Sequence, residues 1–190
     1  ADDMNSSVNT VHTYQAGLGM GERDYYLEND DKTKEIREAY KNHIVEMFRL
    51  AGYDEAVARK AMEAVMKIET RLATSARSMV ELRDPHANYN KKTMEEMKKE
   101  YAPFAWDVFF STLGLNDSIK EVNDIVNNVA LEDQKAYLQW NLINNAAGCL
   151  SDDFVAQDFE FYGKVMSGKQ EMKPRWKRAV STVDGSLGEA

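Results

Sequence analysis

Seven apolar residues, Val57, Ala61, Val65, Ile68, Leu72, Ala76 and Met79, recur at spacings of 4, 4, 3, 4, 4 and 3. At 3.6 residues per turn, these spacings put all seven on one side of a helix of about seven turns. The other side carries Arg59, Lys60, Glu63, Lys67 and Arg71, with Glu63 and Lys67 at the favourable i,i+4 separation. A stripe of that length must pack lengthwise on other helices, so a bundle follows. The helix is expected to start at Asp54 and run to about Arg83, where Asp84-Pro85 stops it. Ile68 and Leu72 are predicted to be buried, and Leu72→Ala to cost roughly 2–5 kcal/mol.

The same period governs most of the chain after residue 30. Asp31 is read as the cap of a helix over 32–51, with Gly52 as its stop and Ile36, Tyr40, His43, Met47 and Leu50 as its stripe. A short polar helix follows at 93–100, and Pro103 suits the first turn of another. That one carries Phe104, Ala105, Trp106, Val108, Phe109, Phe110 and Leu113 almost all round, the pattern of a buried helix. Ala136, Trp140, Ile143, Ala147 and Leu150 predict a helix over 131–150, and Val155, Phe159, Tyr162 and Met166 predict the next. Trp176, Ala179, Val183 and Leu187 form a last amphipathic stripe, from Pro174 onward. Its pattern runs up to residue 187, and Val8, Val11 and Tyr14 suggest a short extended stretch in need of a partner, so both ends are expected to continue into further structure. The fold expected is all-α: a multi-helix bundle with long helices over 31–190, preceded over 1–30 by an irregular or strand-like segment.

With 24 Lys and Arg against 32 Asp and Glu, the net charge is −8, which opposes a polyanionic partner such as nucleic acid. The basic stretch around Lys169, Lys173, Arg175, Lys177 and Arg178 is diluted by acids and reads as a solvated helix start. No run of 18 apolar residues spans a membrane, and residues 1–9 lack the basic start and apolar centre of a signal peptide. The 43% apolar content of 190 residues suffices for a real core.

Catalytic chemistry finds little support. Gly17, Gly19 and Gly21 resemble the opening of a dinucleotide-binding loop, but no apolar strand precedes them and no helix pattern follows directly, so a structural loop is expected. A zinc-binding helix needs histidines four residues apart, whereas His12, His43 and His86 are 31 and 43 apart. His43, on an apolar stripe, reads as a hydrogen-bonded core or boundary residue. Cys149 is the only cysteine, so no internal disulfide forms, and it reads as a small core filler rather than a nucleophile. Asp2-Asp3, Asp30-Asp31 and Asp152-Asp153 are read as helix starts and solvated turns. The ten methionines are read first as core packing. No residue is assigned a catalytic, cofactor-binding or metal-binding role.

Two stretches carry more. Gly17-Leu18-Gly19 followed by Arg23-Asp24-Tyr25-Tyr26-Leu27, with Gln15 upstream, resembles a signature of the neprilysin and endothelin-converting-enzyme family of zinc metallo-endopeptidases. Pro174-Arg175-Trp176-Lys177-Arg178 with Val183-Asp184-Gly185 is similar to a helix of the same family. Between them Arg83-Asp84-Pro85, Tyr89-Asn90-Lys91, Phe104-Ala105-Trp106 and Leu131-Glu132-Asp133 through Trp140 fall in family order. The likeness spans the chain, and the bacterial PepO-type members look most similar. Glu28 and Ala179 stand where animal members carry disulfide cysteines, Gly21 replaces the usual proline, and the connector 115–122 is shorter than the family pattern.

The resemblance implies that residues 1–190 form a helical lid facing a zinc-binding catalytic domain. The family's His-Glu-x-x-His helix, its glutamate ligand and its substrate-positioning Asn-Ala pair belong C-terminal to the matched region. The parent would then hydrolyse short peptides with zinc, this chain would hold none, and its partner would be the catalytic domain of the same protein. The resemblance also points to the bacterial cell envelope or secretion. The alternative is a non-enzymatic helical adaptor that binds through methionine-rich faces.

Overall fold

The computed structural model describes residues 2–7, 10, 12–102, 104–106, 108 and 129–187. These form α1 (Asp24–Leu27), α2 (Asp31–Leu50), α3 (Glu55–Ser75), α4 (Pro85–Asn88), α5 (Met94–Glu100), α6 (Leu131–Ala146), α7 (Asp152–Asp158) and α8 (Arg175–Leu187). Short 3-10 turns at Glu81–Arg83 and Ala147–Cys149 and a π-helix at Phe159–Val165 complete the set, and no strand occurs among the described residues. The fold is all-α, as the periodicity predicts. Val8, Val11, Pro103, Phe109, Phe110, Leu113 and the connector 115–122 lie outside the described residues.

Capping fixes the first long hairpin. The Asp30 carboxylate, rather than that of Asp31, accepts the Thr33 amide at 3.0 Å, and Asp54 accepts the Val57 amide at 2.9 Å. Between the two helices Gly52 adopts φ +91°, the left-handed turn that a side chain would strain. α2 packs along α3, α3 along α6, and α7 and the π-helix close over α2. The core is built from Tyr40, Ile44, Met47 and Phe48 of α2, Ala58, Ala61 and Val65 of α3, Trp140 of α6 and Phe161 of the π-helix.

α3 ends eight residues before the expected Arg83. The backbone groups that would extend it are taken by the N-terminal segment. Arg23 donates to the Ala76 carbonyl at 2.7 Å, and the Gln15 amide group both donates to the Arg77 carbonyl and accepts its N–H, each at 2.8 Å. Ala76 is therefore extended, and the stripe loses its last turn. Val57 and Met79 are 45% and 48% exposed, Leu72 is only half-buried, and the inner face instead runs Ala58, Ala61, Val65, Ile68, Glu69 and Ala73.

Two further corrections share a cause in helix winding. After Ala146 the chain tightens into a 3-10 turn, which rotates Cys149 and Leu150 outward, so Cys149 is exposed and not a core filler. After Asp158 it loosens into the π-helix, which shifts the seam: Phe161 and Gly163 are buried, while Val155, Phe159, Tyr162 and Met166 are only half-buried. Near residue 105 Trp106 is buried with Met97 against the half-buried Tyr101 and Phe104, but Val108 is 65% exposed, so that segment is not buried all round.

Candidate functional site

The residues that could carry chemistry are dispersed. His12 lies near Asp3 at 3.9 Å, His86 sits exposed on α4, and His43 is buried on α2. The glycine-rich stretch is a structural loop. Gly17 takes φ +90° with its carbonyl accepting from the Tyr137 hydroxyl at 3.0 Å. At Gly19 a Cβ would stand 1.9 Å from the Tyr40 hydroxyl oxygen, so only glycine lets the loop lie against α2.

What the loop covers is a buried acid that the periodic reading passed over. Glu69 of α3 is 1% exposed. Its Oε2 accepts the Tyr26 hydroxyl at 2.7 Å, and both oxygens accept the Tyr40 hydroxyl, at 3.1 and 2.9 Å. The Gly19 amide and the Trp140 indole, close by, also favour the charged form of the same group. Tyr26 is itself held, accepting the Met20 amide at 3.0 Å. Burial pushes the Glu69 carboxyl up to about 7, while the bonds from Tyr26 and Tyr40 pull it back down. Burial and the Glu69 charge raise both tyrosine hydroxyls far above their usual range. Two tyrosine hydroxyls on one carboxylate make a hub that fastens α1 and α2 to α3, and the Met20 amide on Tyr26 ties the loop to it. Glu69 stands four residues from both Val65 and Ala73, and an acid in that register was the signal in the sequence.

The second buried polar group is less complete. His43 stacks on Phe161 at 4.9 Å and meets Trp140 and Tyr162 edge-on at 5.6 and 5.4 Å. Its Nδ1 pairs with the Gln157 side-chain amide at 3.2 Å, as a hydrogen-bonded core histidine should. Its Nε2 and the neighbouring Asn144 Oδ1 lack a partner within hydrogen-bond geometry. Burial holds His43 down at about 4, so the ring is neutral near pH 7.

The family-like motifs turn out to be fasteners too. Asp2, read as a solvated turn residue, is 3% exposed. It accepts the Met4 and Asn5 amides at 2.9 and 3.1 Å, the Tyr89 hydroxyl at 3.0 Å and the Lys91 ammonium at 2.6 Å. The hydrogen bond from Lys91 leads the effects that hold the Asp2 carboxyl at about 2. Asp84 caps α4 through the His86 and Ala87 amides, and Arg77 reaches the Ala87 carbonyl and Asn88 Oδ1, both at 2.7 Å. The methionines divide: Met20, Met47, Met66 and Met97 are buried and cannot form a binding face.

Among the described residues, then, the motif residues join the N-terminal loop to the helical bundle. Residues 1–190 match the N-terminal model of peptidase family M13, and the chain belongs to that family. It is 29% identical over 205 residues to endothelin-converting enzyme 1 of Mus musculus, covering 100% of this chain and 26% of that protein. Membrane metallo-endopeptidase-like 1 of Mus musculus is 24% identical over 213 residues, with 100% and 28% covered. The cryo-EM structure of the Mycobacterium tuberculosis zinc metalloprotease Zmp1 in its open state superposes with a TM-score of 0.82 at 31% identity, over 91% of this chain and 28% of that one. The chain thus spans about a quarter of the length of these relatives. The family's zinc does not fit the side chains in view: among the described residues no three of His, Cys, Asp or Glu converge to hold a metal. None of their helices is long and apolar enough to cross a membrane.

Proposed function

We propose that residues 1–190 form the helical lid of a zinc metallo-endopeptidase and take no part in bond cleavage themselves. The observation that carries this reading is the match to family M13 along all 190 residues, in a chain that spans about a quarter of its relatives. In this reading the lid encloses a cavity, excludes folded proteins and admits short flexible peptides. The rest of the polypeptide binds zinc and supplies the reacting groups. The lid supplies a rigid wall, and the Glu69 hub keeps its N-terminal loop seated on the bundle.

α8 is the proposed bridge to the catalytic part. Trp176, Val180 and Val183 lie on one side of it at 65%, 52% and 53% exposure. Their i, i+4, i+7 spacing is that of a helix prepared to pack. Co-expression of this chain with a separately made C-terminal part should give a complex that hydrolyses a short peptide, with neither part active alone. If both parts fold and do not associate, the lid reading fails and a free-standing adaptor becomes the better account.

A further inference from the structure

α6 is apolar on two sides. Ala136, Trp140, Ile143 and Ala147 face the bundle, with Trp140 at 1% exposure. Leu131, Leu138 and Leu142 face outward at 64%, 67% and 72% exposure. At 100° per residue the three leucines fall within about 40° of one another, directly opposite Trp140. Leucines aligned on one exposed line mark a contact surface, whereas scattered ones would not.

We infer that the Leu131–Leu138–Leu142 face of α6 docks an amphipathic helix from the part of the same polypeptide outside these 190 residues. The inference rests on the peptidase reading, because it takes the occupant from the remaining length of a family chain: the match covers only 26–28% of each relative. The form of the stripe selects a helix. Its narrow width and 7-then-4 spacing are those of a helix–helix seam, too narrow for a sheet to cover efficiently. Its rim is uncharged around Leu138 and Leu142 and holds one paired lysine nearer Leu131. The acids at the start of α6 already have partners in this chain, Glu132 with Lys135 at 2.8 Å and Asp133 with Lys67 at 2.7 Å. Lys135, four residues after Leu131 and three before Leu138, stands within the stripe with Glu132 as its partner. The occupant leaves that pair at the edge in water, while Gln139, Asn141 and Asn145 around Leu138 and Leu142 are uncharged.

The test is thiol accessibility in the full-length polypeptide, with the exposed native thiol removed by Cys149→Ser. Leu138→Cys and Leu142→Cys are labelled separately, with Asp153→Cys as an exposed reference on α7. The two stripe positions should react about a hundredfold more slowly than the reference, corresponding to an opening free energy of about 2.8 kcal/mol at 1.4 kcal/mol per decade. That slowing should not change with protein concentration. Labelling as fast as the reference overturns the proposal. Slowing that disappears on dilution also overturns it, by assigning the face to a second copy. Should a cysteine variant misfold, hydroxyl-radical footprinting of the unmodified full-length protein reads the same side chains, with Leu138 and Leu142 protected relative to the exposed Leu150. Zinc content and peptide hydrolysis of that protein are measured alongside. An active zinc enzyme with an open stripe sinks only the docking face, whereas a full-length protein without zinc sinks the peptidase reading.

Discussion

α3 and α8 carry stripes of the same kind and meet opposite fates. Both repeat apolar residues at spacings of three and four, and both are helices. On α3 the inner face, Ala61, Val65 and Ile68, is closed by α2 and α6. On α8 Trp176, Val180 and Val183 stand in solvent. Periodicity therefore decides that a segment is helical and which of its sides is apolar, while burial needs a partner that the pattern does not name.

The largest effect expected from this contrast is at Ile68. Its side chain is fully buried, so Ile68→Ala should cost about 2–5 kcal/mol in urea unfolding. Leu72→Ala, at the half-buried end of the same stripe, should cost less, about 1 kcal/mol, the centre of the range for point mutants. Equal losses at the two positions would mean that α3 packs in the register first read from its sequence.

Next comes pH, because the inner face of α3 holds an acid and α2 holds a histidine. Glu69 binds its proton more tightly in the native state, about 7 against 4.5 unfolded, so its contribution is full below pH 4.5 and falls as pH rises to 7. His43 binds its proton less tightly, about 4 against 6.5, so its contribution is full above pH 6.5 and falls as pH drops to 4. Each spans about 3 kcal/mol at 1.36 kcal/mol per unit. Between pH 4.5 and 6.5 the slopes oppose and stability should be nearly flat. Glu69→Gln should expose the histidine slope, so that urea midpoints rise with pH across that window. An unchanged flat profile in this variant would contradict the assignment.

A smaller effect separates two glycines of the N-terminal loop. Gly19→Ala drives a methyl group into Tyr40, loosening its bond to Glu69, and should cost about 1–3 kcal/mol as overpacking does. Gly21→Ala meets no neighbour and bears only the strain of φ +88°, about 1 kcal/mol. Thermal unfolding of the two variants ranks them, and the reverse order would remove the loop from the hub.

The smallest effect belongs to α8. Val183→Ala should change the stability of this chain by less than about 0.5 kcal/mol, as at other surface sites. A loss like that at Ile68 would show that the α8 stripe is already covered.

Most of the helices were legible because caps and stripes are local: Asp54 at the start of α3 and Gly52 after α2. The motif residues were legible as a family likeness, but not their work. That Gln15 and Arg23 hold the backbone at residues 76 and 77 is a contact across more than 50 residues, and it is what shortens α3. The π-helix at Phe159–Val165 has no marker in a pattern read at 3.6 residues per turn, so Phe161 was missed. Glu69 was missed because an acid in an apolar stripe reads as a boundary residue until the Tyr26 and Tyr40 hydroxyls are seen to converge on it.

Zinc content tests the central claim most directly. After exhaustive dialysis, this chain should hold no stoichiometric zinc, whereas the full-length polypeptide should hold one ion per molecule, as a zinc peptidase requires. One tightly held zinc in the 190-residue chain, or none in an intact full-length protein, would contradict the assignment of these helices to the non-catalytic part of a zinc peptidase.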